Sequence, residues 1–209
     1  MSESESKNSI SSEEKLIEAY LNLHQKKEQK ARFLFEEILA KEPKNVDAIM
    51  GLALHLLRKG FLDESLIWLT RGLEINSSLG RAHYLRSSIL FRQGDYLQGD
   101  LAIGRALEID PANPSYQLLF LRRQLMKGEL SVVEKQLNLI QEKHPLNTEA
   151  LQLQADLHIS VGNSKEAEKL LRQAILVHDS PAIHFSLARV LYQQSKYRSV
   201  IEFTTPLLE

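Results

Sequence analysis

Residues 60–76 read GFLDESLIWLTRGLEIN, and residues 94–110 read GDYLQGDLAIGRALEID. A third segment, GNSKEAEKLLRQAILVH, begins at Gly162, and Gly128 falls in the same register. The four glycines that open these periods, Gly60, Gly94, Gly128 and Gly162, therefore stand 34 residues apart. A chain that repeats itself at one fixed interval of this length is predicted to be an array of similar structural units.

Each period carries a second break seventeen residues after its glycine. Glycine suits the first turn because a left-handed residue after a helix carries no Cβ penalty there. Proline suits the second turn because it cannot continue a helix. Each period therefore predicts two helices of about a dozen residues joined by short turns. The second break is filled by Pro43, Ser77, Pro111, Pro145 and Asp179.

This 34-residue helix-turn-helix period resembles the tetratricopeptide repeat family. The resemblance covers residues 12–209 and implies an all-α fold. That fold is an α-solenoid of about six antiparallel helix-turn-helix repeats, which form a right-handed superhelix with a concave groove. In the family's register the repeats start at Ser12, Val46, Gly80, Pro114, Thr148 and Pro181.

The resemblance also implies small residues where the two helices of a repeat approach each other closely. The third repeat has Ser87 and Gly99 at these positions, whereas the fourth repeat has Leu121 and Val133. We therefore expect the two helices of the fourth repeat to sit farther apart than those of the other repeats.

The two ends of the chain depart from the pattern. Residues 1–11 are acidic and rich in serine, which predicts a disordered lead-in. The first repeat has Lys26 where the glycine belongs. The last repeat has Pro206 inside its second helix and stops at Glu209, so it is predicted to be incomplete or uncapped. Either the chain pairs with another copy at that end, or it was cut from a longer protein.

Composition excludes several classes of protein. The sequence contains no run of about 18 apolar residues, so no transmembrane helix is predicted, and its start has no apolar core, so no secretory signal is predicted. We therefore expect a cytoplasmic protein. The chain has no cysteine, which excludes disulfides and thiolate metal sites. Its formal net charge of −1 argues against a nucleic-acid binder that relies on bulk electrostatics.

No catalytic residue, metal site or cofactor is predicted, so the chain is not expected to be an enzyme. None of the seven histidines pairs with another ligand at helical spacing with a third ligand nearby. The solitary glycines form no phosphate-binding loop. His178, Asp179, Ser180 and His184 lie at the turn before the sixth repeat, where Asp and Ser are ordinary turn and capping residues. His83 and His184 share a position that is partly buried in the family, so both are expected to serve packing.

The family contacts its ligands through the first helices of successive repeats, which line the concave groove. Transferred by position, the apolar contacts in repeats two to four are Met50, Leu54, Leu57, Tyr84, Phe91, Leu118, Leu125 and Met126. The charged groups there are Asp47, Arg58, Arg81, Arg92 and Arg122. Repeats five and six are mixed and carry Glu149, Asp156, Phe185, Arg189 and Tyr192.

The resemblance therefore implies a scaffold or adaptor whose groove binds a peptide or helix of a partner protein. Apolar side chains would anchor that segment, and the arginines would pair with its carboxylates. A structural alternative exists for Arg58 and Arg92, because each lies at a helix end where a cation complements the dipole. The alternative function is an N-terminal substrate-recruiting arm of a larger enzyme, such as a glycosyltransferase or sulfotransferase.

Overall fold

The computed structural model describes residues 11–205, and every regular element in that range is helical. The first helices of the repeats start at Ser12, Val46, Gly80, Pro114, Thr148 and Pro181. Of the predicted lead-in only Ser11 is described, as the N-cap of the first helix, and Pro206 also lies outside the described residues. The helices are α1 (Ser12–His24), α2 (Glu28–Lys41), α3 (Val46–Lys59), α4 (Leu62–Ile75), α5 (Gly80–Gln93), α6 (Tyr96–Ile109), α7 (Pro114–Met126), α8 (Leu130–Lys143), α9 (Thr148–Ser160), α10 (Ser164–Val177), α11 (Pro181–Gln193) and α12 (Tyr197–Thr204).

The chain divides into two compact units, residues 1–111 and residues 112–209. The N-terminal unit contains α1–α6 and the C-terminal unit contains α7–α12. Within each unit the two helices of a repeat pack against each other, and the second helix also contacts the first helix of the next repeat. Each unit is therefore a short α-solenoid of helical hairpins.

The turn inside each hairpin has the same backbone conformation in all six repeats. The four period glycines have φ between 78° and 84°. Lys26 and Ser195, which replace glycine in the first and last repeats, also adopt a positive φ of 60°. Since side chains with a Cβ disfavour this region, these two turns carry strain that the glycine turns do not.

Several first helices begin with a side-chain cap. Asn45, Asn113 and Asn147 each accept a hydrogen bond from a backbone N–H in the first turn of α3, α7 and α9. Ser11 and Glu14 form a reciprocal capping box at the start of α1. These caps satisfy N–H groups that have no partner within the helix, so they help to fix where each repeat starts.

In the second and in the third repeat, a buried serine links the two helices of the hairpin. Ser65 on α4 donates to the carbonyl of Ala53 on α3 at 2.8 Å. Ser87 on α5 donates to the carbonyl of Gly99 on α6, also at 2.8 Å. The serine thus lies on the second helix in one repeat and on the first helix in the other. In both repeats the hydroxyl is fully buried and has its hydrogen-bond partner.

The fourth repeat packs less tightly between its helices. Leu121 and Val133 are fully buried at the positions where other repeats have small residues. Helices α7 and α8 are in less extensive contact than α5 and α6. The reduced contact relative to the third repeat is in the direction that larger side chains at these positions predict.

Candidate partner-binding site

An open apolar cavity of about 520 Å³ lies on α1 in the N-terminal unit. Most of its lining comes from the fifth, sixth, ninth, twelfth and thirteenth positions of the first repeat. These are positions through which the resembled family contacts ligands. The full lining is Leu16, Ile17, Tyr20, Leu21, Leu23, His24 and Arg58.

Tyr20 connects the cavity to the groove positions of the next two repeats. Its hydroxyl donates to the backbone carbonyl of Asp47 on α3 at 2.9 Å. Burial raises the pKa of the Tyr20 phenol, while the charge of Arg81 on α5 acts in the opposite direction. The phenol therefore stays protonated near neutral pH and remains a donor to α3.

The three predicted groove arginines of the N-terminal unit, Arg58, Arg81 and Arg92, differ in the contacts they make. Arg58 donates to the backbone carbonyl of Leu23 at 3.0 Å, so it satisfies the C-terminal end of α1. This contact supports the structural alternative for Arg58. Arg81 and Arg92 are exposed, and neither forms an ion pair with a carboxylate within residues 11–205. They are the cations of this face that remain available to a partner.

The apolar residues predicted for this face are placed at different depths. Met50 is a core residue at 7% exposure, so it supports the groove and offers little surface to a partner. Leu54, Leu57 and Tyr84 are half-buried and pack against the cluster that contains Met50. Part of each of these three side chains remains exposed on the predicted groove face.

Phe91 is the last apolar residue predicted for the groove face of the N-terminal unit. The half-buried ring of Phe91 covers Gly99, where a Cβ would lie 2.4 Å from the ring. Phe91 therefore closes the hairpin of the third repeat, and only part of its ring is exposed to solvent.

In the C-terminal unit the predicted groove residues also differ in how far their side chains are exposed to solvent. Leu118 is buried at 4% exposure and Leu125 is half-buried, and both belong to the core of α7–α9. Met126 is exposed. Arg122, the fourth predicted residue, is half-exposed and faces a carboxylate on α9.

That carboxylate is Asp156, which lies between two arginines. Arg122 Nη1 on α7 is 3.7 Å from Asp156 Oδ2, and Arg189 Nη2 on α11 is 3.1 Å from Asp156 Oδ1. All three residues occupy the ninth position of consecutive repeats. We call Arg122, Asp156 and Arg189 the arginine–aspartate row.

Sequence reasoning missed the cavity and this pairing. The family's ligand-contact positions in repeat one are the signal that indicates the cavity. In the sequence, Asp156 and Arg189 are two of the mixed charges of repeats five and six. The spacing of 34 and then 33 residues from Arg122 to Asp156 to Arg189 is the signal that could have joined them.

The two histidines that share the fourth position serve packing, as predicted. His83 is half-buried, and its Nε2 lies 3.0 Å from the carbonyl oxygen of Ser77. His184 is buried, with Nε2 2.9 Å from Asp179 Oδ1 and its ring edge-on to Phe203 at 4.9 Å.

Within the described range of residues 11–205, no group of three or more His, Cys, Asp or Glu side chains is arranged to hold a metal ion. In the same range, no helix combines the length and apolar character needed to cross a bilayer.

Family models described as tetratricopeptide repeat match three segments of the chain. One model matches residues 17–79 and 153–198, and a second matches residues 80–113. No curated protein sequence matches the chain.

Solved structures similar to this chain include a chain of the APC/C hetero-tetramer Cut9–Hcn1, with a TM-score of 0.80 and 13% identity over 93% of this chain and 40% of that one. The human IFIT1 dimer with PPP-AAAA has a TM-score of 0.79 and 18% identity, over 95% of this chain and 50% of that one. A tetratricopeptide repeat protein from Parabacteroides merdae has a TM-score of 0.77 and 16% identity, over 97% of this chain and 79% of that one. These identities show a shared fold alone, and the present chain spans half the length of the IFIT1 chain.

Proposed function

This chain belongs to the tetratricopeptide repeat family, and we propose that it is a non-catalytic scaffold that binds a segment of a partner protein on the groove side of its first helices. Members of the family are generally interaction scaffolds rather than enzymes. One chain of the Cut9–Hcn1 hetero-tetramer shares the fold, and that chain therefore works within a protein assembly. The specific partner and the use of the groove are our proposal.

The cavity on α1 carries this proposal. It places apolar side chains at positions through which the family binds ligands, and Ile17 and Leu21 in its wall are exposed. Exposed apolar surface gathered in a concavity is typical of a binding site. The polar residues in its lining are His24 and Arg58.

The predicted groove face of the N-terminal unit fits a partner segment that has an apolar anchor residue and nearby acidic residues. The anchor would bury its side chain against Leu16 and Tyr20, whose own side chains are already half-buried and therefore lose little freedom on binding. Arg81 and Arg92 are free to pair with carboxylates of the same segment. An extended strand or a helix would both satisfy this arrangement.

Selection of peptides tests the groove directly. Random 12-residue peptides displayed on phage are selected on the immobilised chain, and the strongest binders are synthesised and measured by fluorescence anisotropy. We expect Ile17→Glu to weaken their binding by about tenfold or more, because a carboxylate in the cavity wall would be desolvated by the anchor. Ile67→Glu is the matched control, since Ile67 on α4 has 68% exposure against 63% for Ile17 and lies outside the cavity.

A second variant tests the arginines. Arg81→Glu combined with Arg122→Glu is expected to abolish capture of acidic peptides without unfolding the chain, because both side chains are exposed. Circular dichroism melting curves check the folding of each variant. Equal binding by the wild type, the double variant and Ile17→Glu would remove the groove from the proposal.

Other expectations about partners and location stay predictions. These are the acidic character of the partner segment, the absence of nucleic-acid binding, a cytoplasmic location and self-association through the C-terminal end. Light scattering over a dilution series tests self-association, and a mass that does not change with concentration contradicts it. The alternative role, as the substrate-recruiting arm of a larger enzyme, is tested by reading the coding sequence beyond Glu209.

A further inference from the structure

Three exposed apolar side chains mark the second helices of the N-terminal unit. Phe33 on α2, Ile67 on α4 and Leu101 on α6 have 65%, 68% and 59% exposure. They stand 34 residues apart, so they occupy the same position in three consecutive repeats. Because consecutive repeats stack in chain order, α4 lies between α2 and α6. We call Phe33, Ile67 and Leu101 the outer stripe.

The outer stripe is separate from the predicted groove face, which is formed by the first helices. None of its residues lines the cavity on α1. At the same position the fourth, fifth and sixth repeats carry charged residues, so the apolar character is confined to the N-terminal unit. Those charged residues are Lys135, Lys169 and Glu202. Large exposed apolar side chains that recur on neighbouring helices are typical of a surface that another protein covers.

The charges beside Ile67 are placed symmetrically along α4. Asp63 lies four residues before Ile67 and Arg71 lies four residues after it, so all three share one helix face. Asp63 is exposed and Arg71 is half-buried. Within residues 11–205 neither forms an ion pair, although each has a neutral hydrogen-bond partner. Each charge is therefore available to a group of opposite charge on another molecule.

Arg71 is also held in place. It donates to the backbone carbonyl of Pro43 at 2.7 Å, and its guanidinium carbon lies 5.0 Å from the centre of the Trp68 ring. A guanidinium has five N–H groups, so donors remain for a second acceptor. Since a side chain that is already ordered loses little freedom on binding, Arg71 is prepared to pair with a carboxylate.

From this arrangement we propose that a second copy of the chain binds on the outer stripe, with the two copies related by a two-fold axis at Ile67. The α4 helices of the two copies then run antiparallel, so a residue before Ile67 faces the residue equally far after it in the other copy. Asp63 of each copy faces Arg71 of the other, which gives two ion pairs, and the two Ile67 side chains meet at the axis. A partner of another sequence would not require the acid and the base at equal distances from Ile67.

The same axis sets α2 of one copy against α6 of the other, so Phe33 faces Leu101. Phe33 and Leu34 line an open cavity of about 390 Å³ on α1 and α2. Leu97, one turn before Leu101, has 71% exposure, so α6 presents two leucines to this cavity of the second copy. The stripe is therefore self-complementary in shape as well as in charge, as a two-fold interface requires. This inference goes beyond the groove function and does not rest on it.

Sedimentation velocity over a dilution series of the full chain tests the interface. We expect the mass to rise with concentration towards twice that of one chain. Ile67→Glu should keep the mass of one chain, because two carboxylates would meet at the axis. Two controls carry the same substitution at exposed isoleucines elsewhere, Ile17→Glu on α1 and Ile201→Glu on α12, with 63% and 66% exposure in the wild type. Both controls should associate like the wild type.

A charge exchange tests the antiparallel pairing of α4. Asp63→Arg alone sets two arginines opposite each other in both pairs, and Arg71→Asp alone sets two aspartates opposite each other. Each single variant should therefore associate about tenfold or more weakly than the wild type. An equimolar mixture of the two variants restores opposite charges in both pairs, so the mixture should form a dimer of one chain of each kind. Circular dichroism melting curves check that each variant is folded.

Four results would overturn the inference. The first is a wild type that keeps the mass of one chain up to about 1 mM, where even a weak dimer would be populated. The second is association of Ile67→Glu equal to that of the wild type. The third is a mixture of the charge variants that associates no more tightly than either variant alone. The fourth is loss of association in Ile201→Glu but not in Ile67→Glu, which would place self-association at the C-terminal end.

The groove function has its own readout. Ile67→Glu is expected to bind the selected peptides like the wild type even as a single chain, because Ile67 lies outside the cavity on α1. Association that depends on Ile67, together with peptide binding that is indifferent to Ile17→Glu, would support the interface and remove the groove. The opposite pair of results would support the groove and remove the interface.

Discussion

Replacing Lys26 with glycine should stabilise the N-terminal unit. Lys26 has a φ of 60°, whereas the equivalent residues of the next two repeats, Gly60 and Gly94, have φ values of 84° and 82°. The neighbouring helices impose the left-handed turn on Lys26 even though its Cβ disfavours it. The comparison that isolates this strain is Lys26→Gly against Lys26→Ala, because both variants remove the ammonium group and only one keeps a Cβ.

The expected difference follows from two opposing contributions. A residue with a Cβ costs about 1–2 kcal/mol in the left-handed region. Glycine loses about 0.5–1 kcal/mol more conformational entropy on folding. The free energy of unfolding should therefore be about 0.5–1 kcal/mol higher for Lys26→Gly than for Lys26→Ala. The wild type should lie between them, since its cation near the end of α1 complements the helix dipole.

Trp68 provides the assay. It is the single tryptophan of the chain, and it packs against both apolar clusters of the N-terminal unit, so its fluorescence reports unfolding of the unit that contains Lys26. With a slope of about 2 kcal/mol per molar urea, the two midpoints should differ by about 0.3–0.5 M.

The reverse change is the control. Gly60→Ala should lower the midpoint by a similar amount, since a Cβ at Gly60 has no atom within 4 Å to clash with and meets only the backbone penalty. Equal midpoints for Lys26→Gly and Lys26→Ala would refute the reasoning. They would mean that the turn at Lys26 relaxes without cost.

Further predictions concern Gly51, Gly104 and His55 of the same unit. Gly51→Ala should lower the free energy of unfolding by about 1–3 kcal/mol, because the new Cβ would lie 2.3 Å from the buried ring of Phe35. Gly104→Ala, in open space within α6, should raise it by about 0.5–1 kcal/mol, and urea titrations giving both changes the same sign would contradict this. Burial lowers the pKa of His55, so the folded state disfavours the protonated ring, and stability should fall as the pH drops through the ordinary value of about 6.5. His55→Leu should flatten that dependence, and a wild type whose urea midpoint is the same at about pH 7.5 and pH 5.5 would speak against it.

Local signals made the repeat boundaries predictable. A glycine or proline ends a helix by its own backbone chemistry, so the starts of all six repeats could be read from single positions. The reduced contact between α7 and α8 was predictable in the same way, from the larger side chains of Leu121 and Val133. The conformation of Lys26 did not follow, because a residue without glycine's freedom takes a left-handed turn only when the helices on both sides impose it.

The site was less predictable because depth and pairing are properties of several helices at once. Position in the repeat indicates which face Met50 and Leu118 share, but the size of their neighbours decides that both are buried. Likewise, the row forms because α7, α9 and α11 bring Arg122, Asp156 and Arg189 level with each other. A sequence shows the charges, but their distances depend on the register between helices.

The buried serines of the second and third repeats restrict how this array could be recombined. A chimaera that pairs α3 with α6 would set Ala53 opposite Gly99 and leave no hydroxyl between the helices. One that pairs α5 with α4 would set Ser87 opposite Ser65 and crowd two hydroxyls into the same space. Single helices are therefore not interchangeable parts of this protein. Duplication or exchange within this array would preserve the packing inside a hairpin only when it moves both helices of a repeat together.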